Sequence, residues 1–292
     1  MVHPLPDSTS SPVPSPRRRR LVRLTLLALG AIAVAWLGAY AIGAMNLSTP
    51  VDLVLTAPPI ADELVAAAPA PGADEVVVLL HGLARGPRSM ARIERALLAR
   101  GYEVWNEGYD SRAESAAEAA ARIGARIRER VDARTPPPRK LHAVAHSLGG
   151  LVLRRIDADA STWRFARAVC LGSPQRGAVM AEALHEAWLY RLALGSRASL
   201  DLRPNAEFVR ALPPRPRCEL ASIVGATGTS WGRSRVIPGD DDGRVALRET
   251  EIEGEVARLV LPLGHTALCT DDRVIAGVLR YLASGRFADE AP

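Results

Sequence analysis

The hydrophobic pattern divides the chain into three stretches. Residues 1–16 show no apolar period and are rich in Pro and Ser, the composition of a disordered tail. Leu24–Met45 then runs 22 residues without a charge. A helix of that length is about 33 Å long, against a hydrocarbon core of roughly 30 Å. From Glu75 onward, short apolar runs alternate with amphipathic ones.

The run Glu75–Leu80 (EVVVLL) is β-branched and apolar throughout, as expected of a strand buried on both faces. In Ser89–Arg100, Met90, Ile93 and Leu97 share one helical face, and Gly101 follows as its C′ residue. Further strands are expected at Tyr102–Trp105, Lys140–Ala145, Phe165–Leu171, Glu219–Val224 and Val256–Leu261. Helices are expected at Ala113–Val131, Leu148–Ile156 and Asp271–Leu282, the last ending at Gly285. This alternation predicts an α/β fold, a mainly parallel sheet with helices on both faces, whose chemistry gathers at the carboxyl ends of the strands. Val179–Leu194 departs from the rhythm. Met180, Leu184, Trp188 and Leu192 give it one apolar face, which fits either packing on the sheet or a cap (178–216) over an apolar pocket.

Charge sharpens the reading of the N-terminus. Arg17, Arg18, Arg19, Arg20 and Arg23 all precede the uncharged run, so the positive-inside rule keeps residues 1–23 cytoplasmic and sends the rest across. We expect 24–45 to be a transmembrane signal-anchor and 46–72 a Pro-rich tether, within which Val51–Leu55 has the pattern of an edge strand. The domain at 73–288 then lies on the non-cytoplasmic side, periplasmic in a Gram-negative cell. A cleaved signal peptide is the competing reading, with Ala39-Tyr40-Ala41 or Ile42-Gly43-Ala44 as the cleavage site, but its apolar stretch is usually shorter. Of the net charge of +5, the first 23 residues supply +4. The domain is nearly neutral, and no nucleic-acid partner is expected. Cys170, Cys218 and Cys269 have no metal-ligand spacing and cannot form a full disulfide framework. No metal, cofactor or thiol nucleophile is expected.

Between the third strand and its helix stands Ala145-His146-Ser147-Leu148-Gly149-Gly150. Small residues two before and two after a serine, at a strand-to-helix turn, are what a sharp bend requires when it lifts a hydroxyl over a helix N-terminus. Together with VVLLHG (Val77–Gly82) and GSPQRG (Gly172–Gly177), this turn resembles the α/β-hydrolase superfamily, in particular bacterial lipases and esterases with Ala in place of the first elbow glycine. The resemblance spans about residues 73–288. It implies an α/β-hydrolase fold and a serine hydrolase cleaving carboxylic esters of lipid-like or smaller substrates. Ser147 would be the nucleophile, followed in the chain by the acid and then the histidine.

Six histidines are available. His3 lies in the tail, His81 in the HG turn, His142 in a strand, His146 on the elbow and His185 on the possible cap. His265 alone follows the last strand, and this order makes it the base. The acid belongs to Asp240-Asp241-Asp242-Gly243-Arg244-Val245, where the family's Asp-Gly-x-Val pattern maps onto Asp242, with Asp241 the alternative register. The backbone N–H groups of Leu83 and Leu148 would form the oxyanion hole. Thioester cleavage and acyl transfer use the same residues, and a non-catalytic binding module on a hydrolase scaffold is the reading from another class.

Overall fold

The computed structural model describes residues 74–187, 192, 194, 195 and 197–287. The anchor and tether readings fall on residues 1–73, outside the described residues. Among the described residues no helix is long and apolar enough to cross a membrane.

Among the described residues six strands form one sheet: β1 Glu75–Leu80, β2 Glu103–Glu107, β3 Lys140–His146, β4 Arg167–Leu171, β5 Glu219–Gly225 and β6 Ala257–Leu261. Their spatial order is β2-β1-β3-β4-β5-β6, and every pairing is parallel. Side chains alternate between two cores because the strand period is two. Val76, Val78 and Leu80 point to one face, against α2 (Ala116–Asp132) and α3 (Leu148–Asp159), where Ile123, Ile127 and Leu151 meet them. Val77 and Leu79 point to the other, against α1 (Ala91–Ala99) and the closing helix α7 (Asp272–Ser284), through Ile93, Leu97, Val274 and Val278. The continuously apolar strands thus reflect a sheet covered on both sides.

The element ends follow local chemistry. The helix expected from Ser89 begins as a 3-10 turn, Pro87–Met90, and becomes α-helical only at Ala91. Its exit is a Schellman motif: Gly101 N–H donates to Leu98 O at 3.0 Å and Tyr102 N–H to Leu97 O at 3.0 Å. The helix expected from Ala113 starts at Ala116, where Ser115 and Glu118 form a capping box.

The single helix expected over Val179–Leu194 does not form. The helix α4 covers Val179–Leu184 only. The His185 ring engages Glu182 O at 2.6 Å, the carbonyl that the Glu186 N–H would need to continue the helix. Beyond the break, Leu192 and Leu194 are again helical, and among the described residues the short helices α5 Arg197–Asp201 and α6 Glu207–Arg210 follow.

Chain order reverses between β1 and β3, which adjoin in the sheet although β2 lies between them in sequence. A crevice opens at such a reversal, outside the strands' carboxyl ends. The His81-Gly82 turn leaves β1 there and Ser147 leaves β3 there.

Candidate active site

Ser147 follows β3 with φ 54° and ψ −123°, a conformation that L-residues rarely adopt. The surroundings hold it. Ser147 N–H donates to Leu171 O at 2.9 Å, tying the bend to the end of β4. Helix α3 starts at the next residue, so its first N–H groups and its dipole lie beneath the hydroxyl. A Cβ on Gly149 would fall 2.6 Å from Leu80 O and 2.7 Å from His81 O. The motif's glycine is therefore needed for α3 to pass against the end of β1. The GSPQRG segment is held in turn by Arg154, whose Nη1 donates to Gln175 O at 2.8 Å and to Gln175 Oε1 at 3.1 Å.

His265 and Asp242 form a buried pair. The imidazole Nδ1 lies 2.7 Å from Asp242 Oδ2, and His265 N–H donates to Asp242 O at 2.9 Å. The other carboxylate oxygen, Oδ1, accepts from Arg244 N–H at 3.0 Å and Val245 N–H at 2.9 Å. With the proton on Nδ1, the Nε2 lone pair is the basic one.

Asp241 points elsewhere, although it is as buried as Asp242. Its Oδ1 accepts from Gly243 N–H at 2.6 Å and Ser234 N–H at 3.0 Å. Asp240 accepts from Thr227 N–H at 2.7 Å and Gly228 N–H at 2.8 Å. Burial pushes the Asp240 carboxyl up, but these donors outweigh it and hold it below the usual range. Three adjacent carboxylates thus serve three different neighbours.

The elbow and the His–Asp pair meet at Gly172, the residue after Leu171. A Cβ there would lie 3.1 Å from Asp242 Oδ2 and 3.2 Å from His265 Nδ1. The His265 ring is 4.7 Å, centroid to centroid, from that of His146, the neighbour of Ser147. Among the described residues no hydrogen bond joins the Ser147 hydroxyl to His265. Such contacts commonly tighten only once substrate is bound.

His146 and His81 have no role in the sequence reading beyond their motifs, yet both are structural links. His146 is 3% exposed, and its Nε2 lies 3.1 Å from His265 O. The carbonyl can only accept, so Nε2 carries the proton. Burial, reinforced by the neighbouring His265 ring and the Arg85 and Arg244 charges, holds this imidazole neutral, well below its ordinary range. His81 stacks on Tyr109 at 4.1 Å. Its Nδ1–H donates to Gly82 O at 2.9 Å, and its Nε2 accepts from Tyr109 N–H at 3.3 Å. Arg85 N–H closes the turn on Gly82 O at 3.3 Å, and Ala84, at φ 50°, donates its N–H to Ser111 Oγ at 2.8 Å. The Leu83 peptide is thereby set between fixed neighbours. Tyr109 and Ser111 carry no motif that marks them in sequence; only the folded chain brings them to the turn.

The three thiols lie apart from this chemistry. Cys170, Cys218 and Cys269 are free and buried. Burial pushes Cys170 and Cys269 up to about 12 and Cys218 upward as well, so all three are protonated at neutral pH. Among the described residues no group of three or more His, Cys, Asp or Glu could hold a metal ion.

A family profile described as "Alpha/beta hydrolase family" matches residues 77–290. No curated protein sequence matches the chain. Among solved structures, the mature lipase BlEst2 of Bacillus licheniformis is similar with a TM-score of 0.55 at 17% identity, over 74% of this chain and 92% of that one. The type II thioesterase BorB of the borrelidin biosynthetic cluster gives 0.52 at 18%, over 74% and 94%. The metagenomic carboxyl esterase MGS0156 gives 0.51 at 17%, over 73% and 76%. At these identities the likeness is one of fold. Because the profile runs from β1 past the end of α7 and includes the Ser147 bend, the chain belongs to the alpha/beta hydrolase family.

Proposed function

We propose that this protein is a serine hydrolase of carboxylic esters, held at a membrane by residues 24–45 with its catalytic domain on the non-cytoplasmic side. The observation that carries the reading is the buried His265–Asp242 pair, 2.7 Å long, beside a serine strained into an elbow. Ser147 Oγ attacks the ester carbonyl carbon while its proton passes to His265 Nε2. Asp242 fixes the imidazole tautomer and stabilises the imidazolium. The carbonyl oxygen becomes an oxyanion facing the Leu83 and Leu148 N–H groups. Collapse of this intermediate breaks the C–O bond, and the leaving alkoxide takes the proton from His265. Water, deprotonated by the same imidazole, then cleaves the acyl-enzyme and restores the serine.

A second reading has its own support. The BorB likeness keeps thioester substrates in view, and they would be processed by the same residues, as would acyl transfer to an alcohol. A binding module without catalysis would have no need of a complete triad.

The test is fluorophosphonate labelling of the full chain, together with p-nitrophenyl esters of graded acyl length and an acyl-CoA series. Labelling at Ser147, lost in Ser147→Ala along with turnover, is expected. An unlabelled wild-type protein, or undiminished turnover in Ser147→Ala, overturns the mechanism. The preferred series separates esterase, lipase and thioesterase. An N-terminus beginning near residue 42 or 45 in the mature protein would overturn the anchor.

A further inference from the structure

Residues 227–239 (TGTSWGRSRVIPG) connect the carboxyl end of β5 to the three aspartates, and they contain two arginines and no carboxylate. Both aspartates that do not touch His265 hold this loop. Asp240 accepts from Thr227 N–H, Thr227 Oγ1 (2.8 Å) and Gly228 N–H. Asp241 accepts from Ser234 N–H at 3.0 and 3.2 Å. Arg233 Nη2 donates to Pro262 O at 3.1 Å. Between these ties, Trp231 is 77% exposed and Val236 56%. Among the described large hydrophobic side chains, none is more exposed than Trp231.

An indole displayed on a loop tied at both ends is not left over from packing, because the ties order its backbone while nothing covers its ring. Its surroundings indicate what does. Among the described residues, Arg235 is exposed and in no ion pair, and Arg233 meets a carbonyl rather than a carboxylate. The surface therefore offers one indole, one isopropyl group and two guanidinium groups with no paired carboxylate. Two apolar side chains are too few for the core of a stable protein interface. They suit a bilayer headgroup region, where indole rings settle and arginines meet anionic lipid. The Arg233 side chain also packs beside Gly243 and Gly264, the neighbours of Asp242 and His265, so the loop stands at the edge of the candidate site.

We infer that loop 227–239 docks on anionic bilayers through Trp231, Val236, Arg233 and Arg235. Docking at this position turns the carboxyl end of the sheet toward lipid. The consequence for substrate access rests on the proposed ester hydrolysis, whereas the lipid contact itself does not.

The test adds the full chain to phosphatidylcholine vesicles with and without about 30% phosphatidylglycerol, a composition that sets the surface charge. Trp231 emission is isolated as the difference between wild type and Trp231→Phe. We expect it to shift to the blue and to be quenched by brominated-chain lipid in the anionic vesicles. Arg235→Gln should weaken the anionic component about fivefold. Trp231→Ala should lower hydrolysis of an ester dispersed in those vesicles and leave a water-soluble short ester unaffected. Difference emission that stays at the water-exposed position with anionic vesicles present, or quenching equal in neutral and anionic vesicles, overturns the inference. Absent hydrolysis of both esters with quenching intact would instead count against the catalytic reading alone.

Discussion

Asp242→Asn isolates the role proposed for this carboxylate, because the backbone around Asp242 dictates which way an amide must face. Oδ1 receives two N–H donors, from Arg244 and Val245. An amide NH2 placed there would confront both donors, losing two hydrogen bonds worth about 1 kcal/mol each and leaving buried groups unpaired. The asparagine oxygen is therefore held at the Oδ1 position by about 2–3 kcal/mol. Its NH2 must then occupy the Oδ2 position, 2.7 Å from His265 Nδ1 in the parent. An NH2 can only donate, so the His265 proton moves to Nε2, the atom that must accept from Ser147. That preference suppresses the productive tautomer about 30- to 150-fold. Loss of the charge-assisted bond to the developing imidazolium, about 1.5–3 kcal/mol, adds a further 10- to 100-fold. The expected fall in kcat is therefore about 300- to 15,000-fold, with KM little changed. Steady-state hydrolysis of a short p-nitrophenyl ester gives the number, fluorophosphonate labelling rates report the serine, and a thermal melt confirms folding. Asp241→Asn is the control. It disturbs bonds to Ser234 and Gly243 rather than an imidazole, so it should lower stability by about 1–3 kcal/mol and leave kcat within about tenfold. If Asp242→Asn keeps more than a tenth of the activity, or if Asp241→Asn loses more, the tautomer argument is wrong.

Other consequences follow from the same geometry. Ser147→Gly removes the strain of a left-handed φ and should raise unfolding stability by about 1–2 kcal/mol while abolishing turnover; Ser147→Ala should abolish turnover without that gain, and paired denaturant titrations decide. Gly149→Ala drives a Cβ into two carbonyl oxygens and should cost about 3 kcal/mol or more, read by the denaturant midpoint. His146→Gln can still donate toward His265 O and should keep more activity than His146→Phe; equal kcat in the two variants would leave the ring's hydrogen bond without a role. Acid should destabilise the fold from the other end of the sheet. Burial outweighs the pull of Glu75 and holds His142 at about 4, against 6.5 when unfolded. Between those pH values the unfolded chain binds a proton that the folded chain refuses, so stability falls as pH falls, by about 3 kcal/mol in total. Glu75 is pushed up by burial but held below the usual range by Lys140 and His142; it adds a further loss as pH drops through its own titration. Urea unfolding at pH 7 and pH 4.5 should show the slope, flattened in His142→Gln.

What could be read from the sequence, and what could not, divides along the range of the interactions. Strands β1, β3, β4 and β5 were legible because strands covered on both faces need largely apolar runs, and such runs stand out against Arg-rich helices. The elbow was legible because its constraint is local: the bend, the helix start and the close approach at Gly149 all fall within a few residues of Ser147. Choosing Asp242 from the run needed the family pattern, since three identical side chains in a row differ only in where the backbone aims them, and it is Asp242 that meets His265. Composition carries no trace of that direction. The amphipathic period over Val179–Leu194 is interrupted at residues 185–187, where the His185 ring bonds the Glu182 carbonyl, and a hydrophobic period contains no information about that contact. Contacts across the chain were the least accessible. His146 reaches the His265 carbonyl across 119 positions, and Tyr109 reaches His81 across 28. Each uses a residue type that occurs elsewhere in the chain with no such role. Their effect is nevertheless concentrated at the candidate site, where the His146 ring holds the His265 carbonyl and the His81 ring holds the turn after β1. A substitution at either histidine should therefore disturb turnover more than stability, the opposite of what burial alone would suggest for a core residue.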